Sequence, residues 1–275
     1  MRSLSISLVQ TDLFWEDKIS NLQMLAEKIS GIREKTEVVI LPEMFSTGFS
    51  MNTAGLAETM DGPTMQWMRR MAAEKKCIIT GSIIARDART SEPHFYNRLV
   101  WMLPDGHYGY YDKRHLFAYG KEHQHYTAGK SRLIASAKGW KINLQVCYDL
   151  RFPVWLRQSN PAQASPGKKK NEPEYDILIF VANWPAARSH AWKTLLQARA
   201  IENQCFVVGV NRTGTDGNGL IYAGDSLVAG PLGEILHPLS GNEEIITMTL
   251  HKEMLESVRG QFPFLEDANH FLIQS

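Results

Sequence analysis

The sequence predicts an α/β fold in which sheets are covered by helices. Three observations carry this expectation. Segments with the apolar period of a helix alternate with short β-rich runs along the chain. A helix followed by a strand recurs in similar form at residues 17–43 and 189–211, which is compatible with internal pseudo-symmetry. Hydrophobic residues make up 44% of the 275, enough for one sizeable core, so a single large domain over residues 1–275 is expected. No fixed short period marks a solenoid.

The N-terminal stretch "MRSLSISLVQTDLFW" alternates polar and apolar residues as a strand does. Ile19, Leu22, Leu25, Ala26 and Ile29 then recur at helical spacing, with Gly31 placed to cap the helix end. "EVVILPE" (37–43) is a short β-rich run. Pro63 can open a second helix whose apolar face carries Trp67, Met68, Met71 and Ala72. "CIITGSIIA" from Cys77 is the next strand. Residues 96–116 form a hairpin, with Pro104, Asp105 and Gly106 supplying its turn. "KINLQVC" (141–147) and "DILIFVANW" (176–184) are further strands. A helix over 189–203 leads into a strand from Cys205, and "HKEMLESVRGQFP" forms a short helix before a C-terminal tail. Residues 159–174, rich in Pro, Lys and small polar residues, form an exposed loop insertion, and Lys168 to Lys170 belong to its solvated tip.

Composition narrows the function. A net charge of +1 offers no electrostatic footprint for nucleic acid or an acidic membrane surface. No apolar run approaches the roughly 18 residues of a membrane span. The N-terminus lacks the features of a secretory signal, so a cytoplasmic location is expected. Three cysteines, Cys77, Cys147 and Cys205, suit reduced thiols better than a disulfide framework. Cys77 and Cys205 begin apolar strands and read as core thiols.

Three reactive groups close strand-like runs. Glu43 ends "VVILPE", Lys113 follows "HYGYYD", and Cys147 ends "INLQVC". In α/β folds function collects at the carboxyl ends of strands. Singly, each has an ordinary reading as a loop carboxylate, a surface lysine or a buried filler. Together they form a working set. Only a few per cent of a thiol with a pKa of about 8.5 is thiolate near neutrality. A carboxylate can take the thiol proton, and an ammonium can hold the oxyanion formed at an attacked carbonyl. The backbone N–H of Tyr148 is a natural second oxyanion donor. Spacing alone also admits a Cys–His pair of Cys147 with His115, His123 or His125. "KEHQHY" is too sparse for a metal site, and no metal or other cofactor is expected.

"LPEMFSTGF", "YDKRHLF" and "CYDLRFP" together resemble, in order, the three signature blocks of the nitrilase superfamily of carbon–nitrogen hydrolases. The resemblance runs from "SISLVQTDLFWED" through "GDSLVAGPLGEI". It implies a four-layer αββα sandwich and a catalytic triad of Glu43, Lys113 and Cys147. It implies a second, supporting glutamate, for which Glu122 in "GKEHQHYTAG" is the match. It also implies a homodimer. Within the superfamily, "LPEMFSTGFSMN", "HLFAYGKEHQHYTAG" and "ANWPAARSHAW" resemble the bacterial omega-amidases, which hydrolyse the terminal amide of 2-oxoglutaramate and related dicarboxylate monoamides and are linked to methionine salvage. Such a substrate's far carboxylate needs a cationic partner, and Arg188 is the candidate. Phe45, Phe117 and Trp184 are expected to wall the pocket. Asp149 and Arg151 are expected to brace the turn after Cys147.

Overall fold

The computed structural model describes residues 3–87, 93–158, 173–239 and 241–269. In chain order its principal elements are β1 (Ser3–Gln10), α1 (Lys18–Ser30), β2 (Val38–Ile40), α2 (Thr53–Leu56), α3 (Pro63–Lys75), β3 (Ile78–Asp87), β4 (His94–Met102) and β5 (Tyr108–Asp112). Then follow β6 (Ile134–Ala137), β7 (Trp140–Val146), α4 (Pro153–Leu156), β8 (Ile177–Ala182), α5 (Ser189–Asn203) and β9 (Phe206–Asn211). The chain closes with β10 (Thr213–Thr215), β11 (Ile221–Ala223), β12 (Leu227–Ala229), β13 (Ile235–Pro238), β14 (Glu244–His251) and α6 (Lys252–Gln261).

Two six-stranded sheets carry the fold, in the orders β14-β1-β2-β3-β4-β5 and β6-β7-β8-β9-β12-β13. They share one design. Three central strands run parallel, β1-β2-β3 in one sheet and β7-β8-β9 in the other. One antiparallel strand flanks each trio on one side and two flank it on the other. The two sheets are thus equivalent halves, with β2 and β8 in corresponding central positions, but the recurring helix–strand units at 17–43 and 189–211 are not equivalent within them, since α1 leads into β2 and α5 into β9, the counterpart of β3.

The pleat explains how the layers stack. Along β2, Val38 and Ile40 join a core shared with Ile142, Leu144 and Ile179 of the second sheet. Val39 points the other way, into a core with Leu25 and Ile29 of α1 and Met68 and Met71 of α3. Strand side chains alternate between faces, so one face meets the other sheet while the opposite face is covered by helices. On the second sheet, Trp192, Leu196 and Ala200 of α5 join the apolar cluster. Leu196 and Trp192 sit so close to Gly209 of β9 that a Cβ there would lie 2.5 Å from Leu196. The result is the four-layer αββα sandwich.

Helix ends follow local chemistry. Asp17 caps α1, its carboxylate accepting from the Ser20 N–H at 3.0 Å. Gly31 closes the same helix by donating to Glu27 O, but with a right-handed φ of −71°. Pro63 stands at the start of α3. The expected insertion lies, over residues 159–172 with its lysine run, outside the described residues. Among the described residues no helix is long and apolar enough to cross a membrane.

Candidate active site

Glu43 arrives by a tight turn beyond β2. Met44 takes a left-handed φ of 45°, and the turn is pinned to β3 by the Met44 N–H on Ser82 Oγ at 2.8 Å and the Phe45 N–H on Ser82 O at 3.2 Å. This aims a fully buried carboxylate inward. Lys113 directly follows β5. Its own N–H donates to Asn97 O at 3.0 Å, and its carbonyl accepts from the Gly129 N–H at 2.9 Å. Its ammonium bridges two carboxylates, at 2.9 Å from Glu43 Oε1 and 2.9 Å from Glu122 Oε2. Glu122 is held further by the Phe117 N–H at 2.6 Å and by Asn97 Nδ2 at 3.2 Å. Asn97 Nδ2 also donates to Glu43 Oε1 at 2.7 Å, so one amide ties the two glutamates together.

Cys147 lies one residue beyond β7 rather than within the strand, with a left-handed φ of 44°, and opens a 3-10 turn over Cys147–Arg151. A non-glycine residue there costs on the order of 1–3 kcal/mol, and its surroundings must over-determine it. They do. The buried Asp149 carboxylate accepts from the Val146 N–H at 3.1 Å, the Tyr111 hydroxyl at 2.8 Å and the His115 N–H at 2.9 Å. Arg199 of α5 donates Nε and Nη2 to Leu150 O at 3.0 and 2.8 Å. The Cys147 Sγ is 4.0 Å from the Asn183 carbonyl oxygen. Asn183 in turn grips Glu43, its N–H donating to Oε2 at 2.8 Å and its Nδ2 to the Glu43 carbonyl at 2.6 Å. The corresponding central strands β2 and β8 thus deliver two residues that bond to each other.

The electrostatics follow from burial and these partners. Burial opposes charge on Lys113, but the Glu122 and Glu43 carboxylates outweigh it and keep the ammonium protonated well above the ordinary lysine range. Burial raises Glu122 against the pull of Lys113, and the Glu43 charge pushes in the same direction. Burial, with the nearby Glu43 carboxylate, pushes the Cys147 thiol far up, and Lys113 only partly offsets this. The resting site therefore holds a neutral thiol beside a carboxylate that can take its proton, and a fixed ammonium beside both. That set is suited to attack on a carbonyl followed by stabilisation of an oxyanion.

The thiol opens on a cavity of about 510 Å3, within the usual range for small-molecule sites. Lys113, Cys147, Tyr148, Phe117, Trp184 and Arg188 all line it. The Tyr148 N–H lies in the first turn of the 3-10 segment, where helix geometry leaves donors without intrahelical partners. Arg188 lies over the Phe117 ring at 5.3 Å, and the Trp184 indole donates to Arg188 O at 2.8 Å.

Other expectations need correction. Phe45 does not wall the cavity. The turn at Met44 sends it into the helix-covered core, 5.7 Å from Trp67, and Phe49 stands in the wall instead. Arg151 does not brace the nucleophile turn. It is exposed, lies over the Trp184 ring at 5.0 Å and lines the cavity. The Cys–His pairings fail on geometry. His115 Nδ1 is 2.8 Å from Asp149 and its ring stacks on Phe152, while His123 and His125 are exposed. Asn97 and Asn183 escaped the sequence reading. Their partners lie far off in the chain, Asn183 being 140 residues from Glu43, and an asparagine inside a strand, as Asn97 is, or just after one, as Asn183 is, carries no signal of its own.

Known proteins resemble this chain along nearly its whole length. The family model described as carbon-nitrogen hydrolase matches residues 5–260. The chain is 41% identical to omega-amidase YafV of Escherichia coli (strain K12) over 98% of its own length and 99% of that protein's. It is 30% identical to the 2-oxoglutaramate amidase of Bacillus subtilis (strain 168) over 96% of both chains. Among solved structures it is similar to XC1258 from Xanthomonas campestris, a CN-hydrolase superfamily protein with an arsenic adduct in the active site. The TM-score is 0.94 and identity 45%, with 100% of both chains covered.

Proposed function

The chain belongs to the carbon-nitrogen hydrolase family, and from that premise we propose that it is an omega-amidase, hydrolysing the terminal amide of 2-oxoglutaramate and similar dicarboxylate monoamides to the acid and ammonia. One observation carries the reading: a buried Glu43–Lys113–Cys147 cluster opens on a cavity that Arg151 and Arg188 also line. A small amide with a carboxylate at its far end suits that combination, because guanidinium groups pair bidentately with carboxylates.

The chemistry runs in two halves. Glu43 accepts the Cys147 proton as Sγ attacks the amide carbon. The oxygen of the tetrahedral intermediate takes the charge, held by the Lys113 ammonium and the Tyr148 N–H. The C–N bond then breaks as Glu43 returns the proton to nitrogen, ammonia leaves, and a thioester remains. Water enters, gives a proton to Glu43 and attacks the thioester carbon. The second intermediate expels the Cys147 sulfur, which recovers its proton from Glu43. Lys113 cannot serve as the proton carrier, since two carboxylates hold it charged. Glu122 supports the site by fixing that ammonium, and Asn97 sets the spacing between the two glutamates.

The family resemblance supports a homodimer, checked by sedimentation of the purified protein, and the proposed cytoplasmic location is checked by fractionation. The activity is tested by ammonia release from 2-oxoglutaramate, glutamine, a nitrile and an N-carbamoyl amino acid under matched conditions. The expected order places 2-oxoglutaramate first, and turnover confined to the nitrile would overturn the reading.

A further inference from the structure

The lysine and the nucleophile sit on different sheets, yet both must meet one reacting carbonyl. Lys113 follows β5 of the first sheet, and Cys147 follows β7 of the second. The two oxyanion donors, the Lys113 ammonium and the Tyr148 N–H, therefore belong to separate layers. Such donors work only when held at hydrogen-bond distance from the charge that forms. Apolar packing between the sheets is not directional, so polar contacts must fix the spacing of the two segments.

One carboxylate joins them. Asp149 lies two residues beyond Cys147 and is fully buried. Its Oδ2 accepts from the Val146 N–H at 3.1 Å, within its own segment, and from the Tyr111 hydroxyl at 2.8 Å. Its Oδ1 lies 2.9 Å from the His115 N–H and 2.8 Å from His115 Nδ1. A carboxylate oxygen accepts, so the imidazole carries a proton on Nδ1. Tyr111 and His115 flank Lys113 at two residues on either side. The chain before and after the lysine thus grips the carboxylate just beyond the nucleophile. The Tyr111 hydroxyl is saturated, accepting also from the Arg114 N–H and the Trp155 indole at 3.1 Å each. The His115 ring is fixed by stacking on Phe152, with centroids 3.8 Å apart. Tyr111, His115 and Asp149 are all absent from the cavity wall, so they reach a substrate only through the residues they hold.

Resting on the amidase reading above, we propose that Tyr111 and His115 are positioning residues that lock Lys113 to the Cys147 turn through Asp149, so that the Lys113 ammonium and the Tyr148 N–H converge on one oxyanion. The lock serves the tetrahedral intermediate and leaves the recognition of the substrate's far carboxylate to other groups.

The test uses Tyr111→Phe and His115→Phe, which keep a ring at each position and remove one donor. Each should lower kcat for 2-oxoglutaramate roughly 10- to 100-fold, with KM within about twofold of wild type. Succinic semialdehyde probes the oxyanion directly. Cys147 Sγ adds to its aldehyde carbon, the carbonyl electron pair moves to oxygen, and the thiol proton passes to Glu43. With no amine to expel, the adduct stops at the tetrahedral stage. Its inhibition constant should rise by about the factor by which kcat falls. Folding is checked by circular dichroism and the thermal midpoint. A lowered midpoint with wild-type kcat, or a lowered kcat with aldehyde inhibition intact, would overturn the proposal. Absence of amide turnover by the wild-type enzyme would instead remove the amidase reading and the proposal with it.

Discussion

The thiol of Cys147 is buried beside a carboxylate, which makes it a poor thiolate at rest. A carboxylate base and a neutral thiol behave differently from a thiolate–imidazolium pair, and the difference can be measured. Alkylation of Cys147 by iodoacetamide should accelerate as pH rises through the ordinary thiol range, without a plateau near about pH 7. A plateau already reached in mild acid would mean a preformed thiolate and a different mechanism. At this scale the sequence was informative where chemistry and position coincide. Glu43, Lys113 and Cys147 stood out because each closes a β-rich run, and Glu122 because of its place after the lysine. Asn97 and Asn183 did not stand out. An asparagine gains meaning only from the carboxylate it meets, and that meeting is made by the tertiary fold. Phe45 was misplaced for a related reason. One residue at positive φ, Met44, decides which side of the sheet the following ring enters.

The strand ends work as holders, and close backbone approaches set their tolerances. Gly129 shows this most sharply. Its N–H supports the Lys113 carbonyl, and a Cβ at this position would sit 1.9 Å from the Asp112 carbonyl oxygen. Gly129→Ala must therefore push the end of β5 away from Glu43 and Glu122. Activity should fall at least about tenfold, as expected when a reacting group is displaced by a fraction of an ångström or more. The thermal midpoint should fall as well. Near-normal kcat/KM and an unchanged midpoint would show that the lysine strand relaxes freely. Element boundaries were largely legible from periodicity: α5 matches its expected span, and α3 starts at Pro63 as expected. The end of β7 was less so. Apolar alternation continues through the cysteine, while the chain itself turns at Cys147, held by the Val146 N–H on the Asp149 carboxylate within the turn and by Arg199 of α5 donating to Leu150 O.

Across the whole molecule, folding encloses groups that ionise only in alkali. Burial lifts the Cys77 thiol to about 11 and raises Cys205, Tyr111 and Tyr175 in the same direction. For each, the folded state keeps a proton that the unfolded chain gives up sooner. The stabilisation is complete below the unfolded pKa and is lost as pH rises toward the folded value. For Cys77 that window runs from about 8.5 to about 11. Denaturant midpoints should accordingly decline across this range, and Cys77→Ala should make the decline shallower even if it lowers stability at neutral pH. An equal slope in wild type and variant would deny the thiol this part. The alternating pattern of helices and strands announced an α/β molecule, but the recurrence at residues 17–43 and 189–211 matched units that take different positions in its two halves. The stacking of one sheet on the other is a matter of strand register, visible only once Val38 and Ile40 face Ile142 and Leu144. The most direct test of the whole account is ammonia release from 2-oxoglutaramate by Cys147→Ala, folded as the parent enzyme is. The account predicts no release above the uncatalysed background, and turnover at the wild-type rate would contradict it.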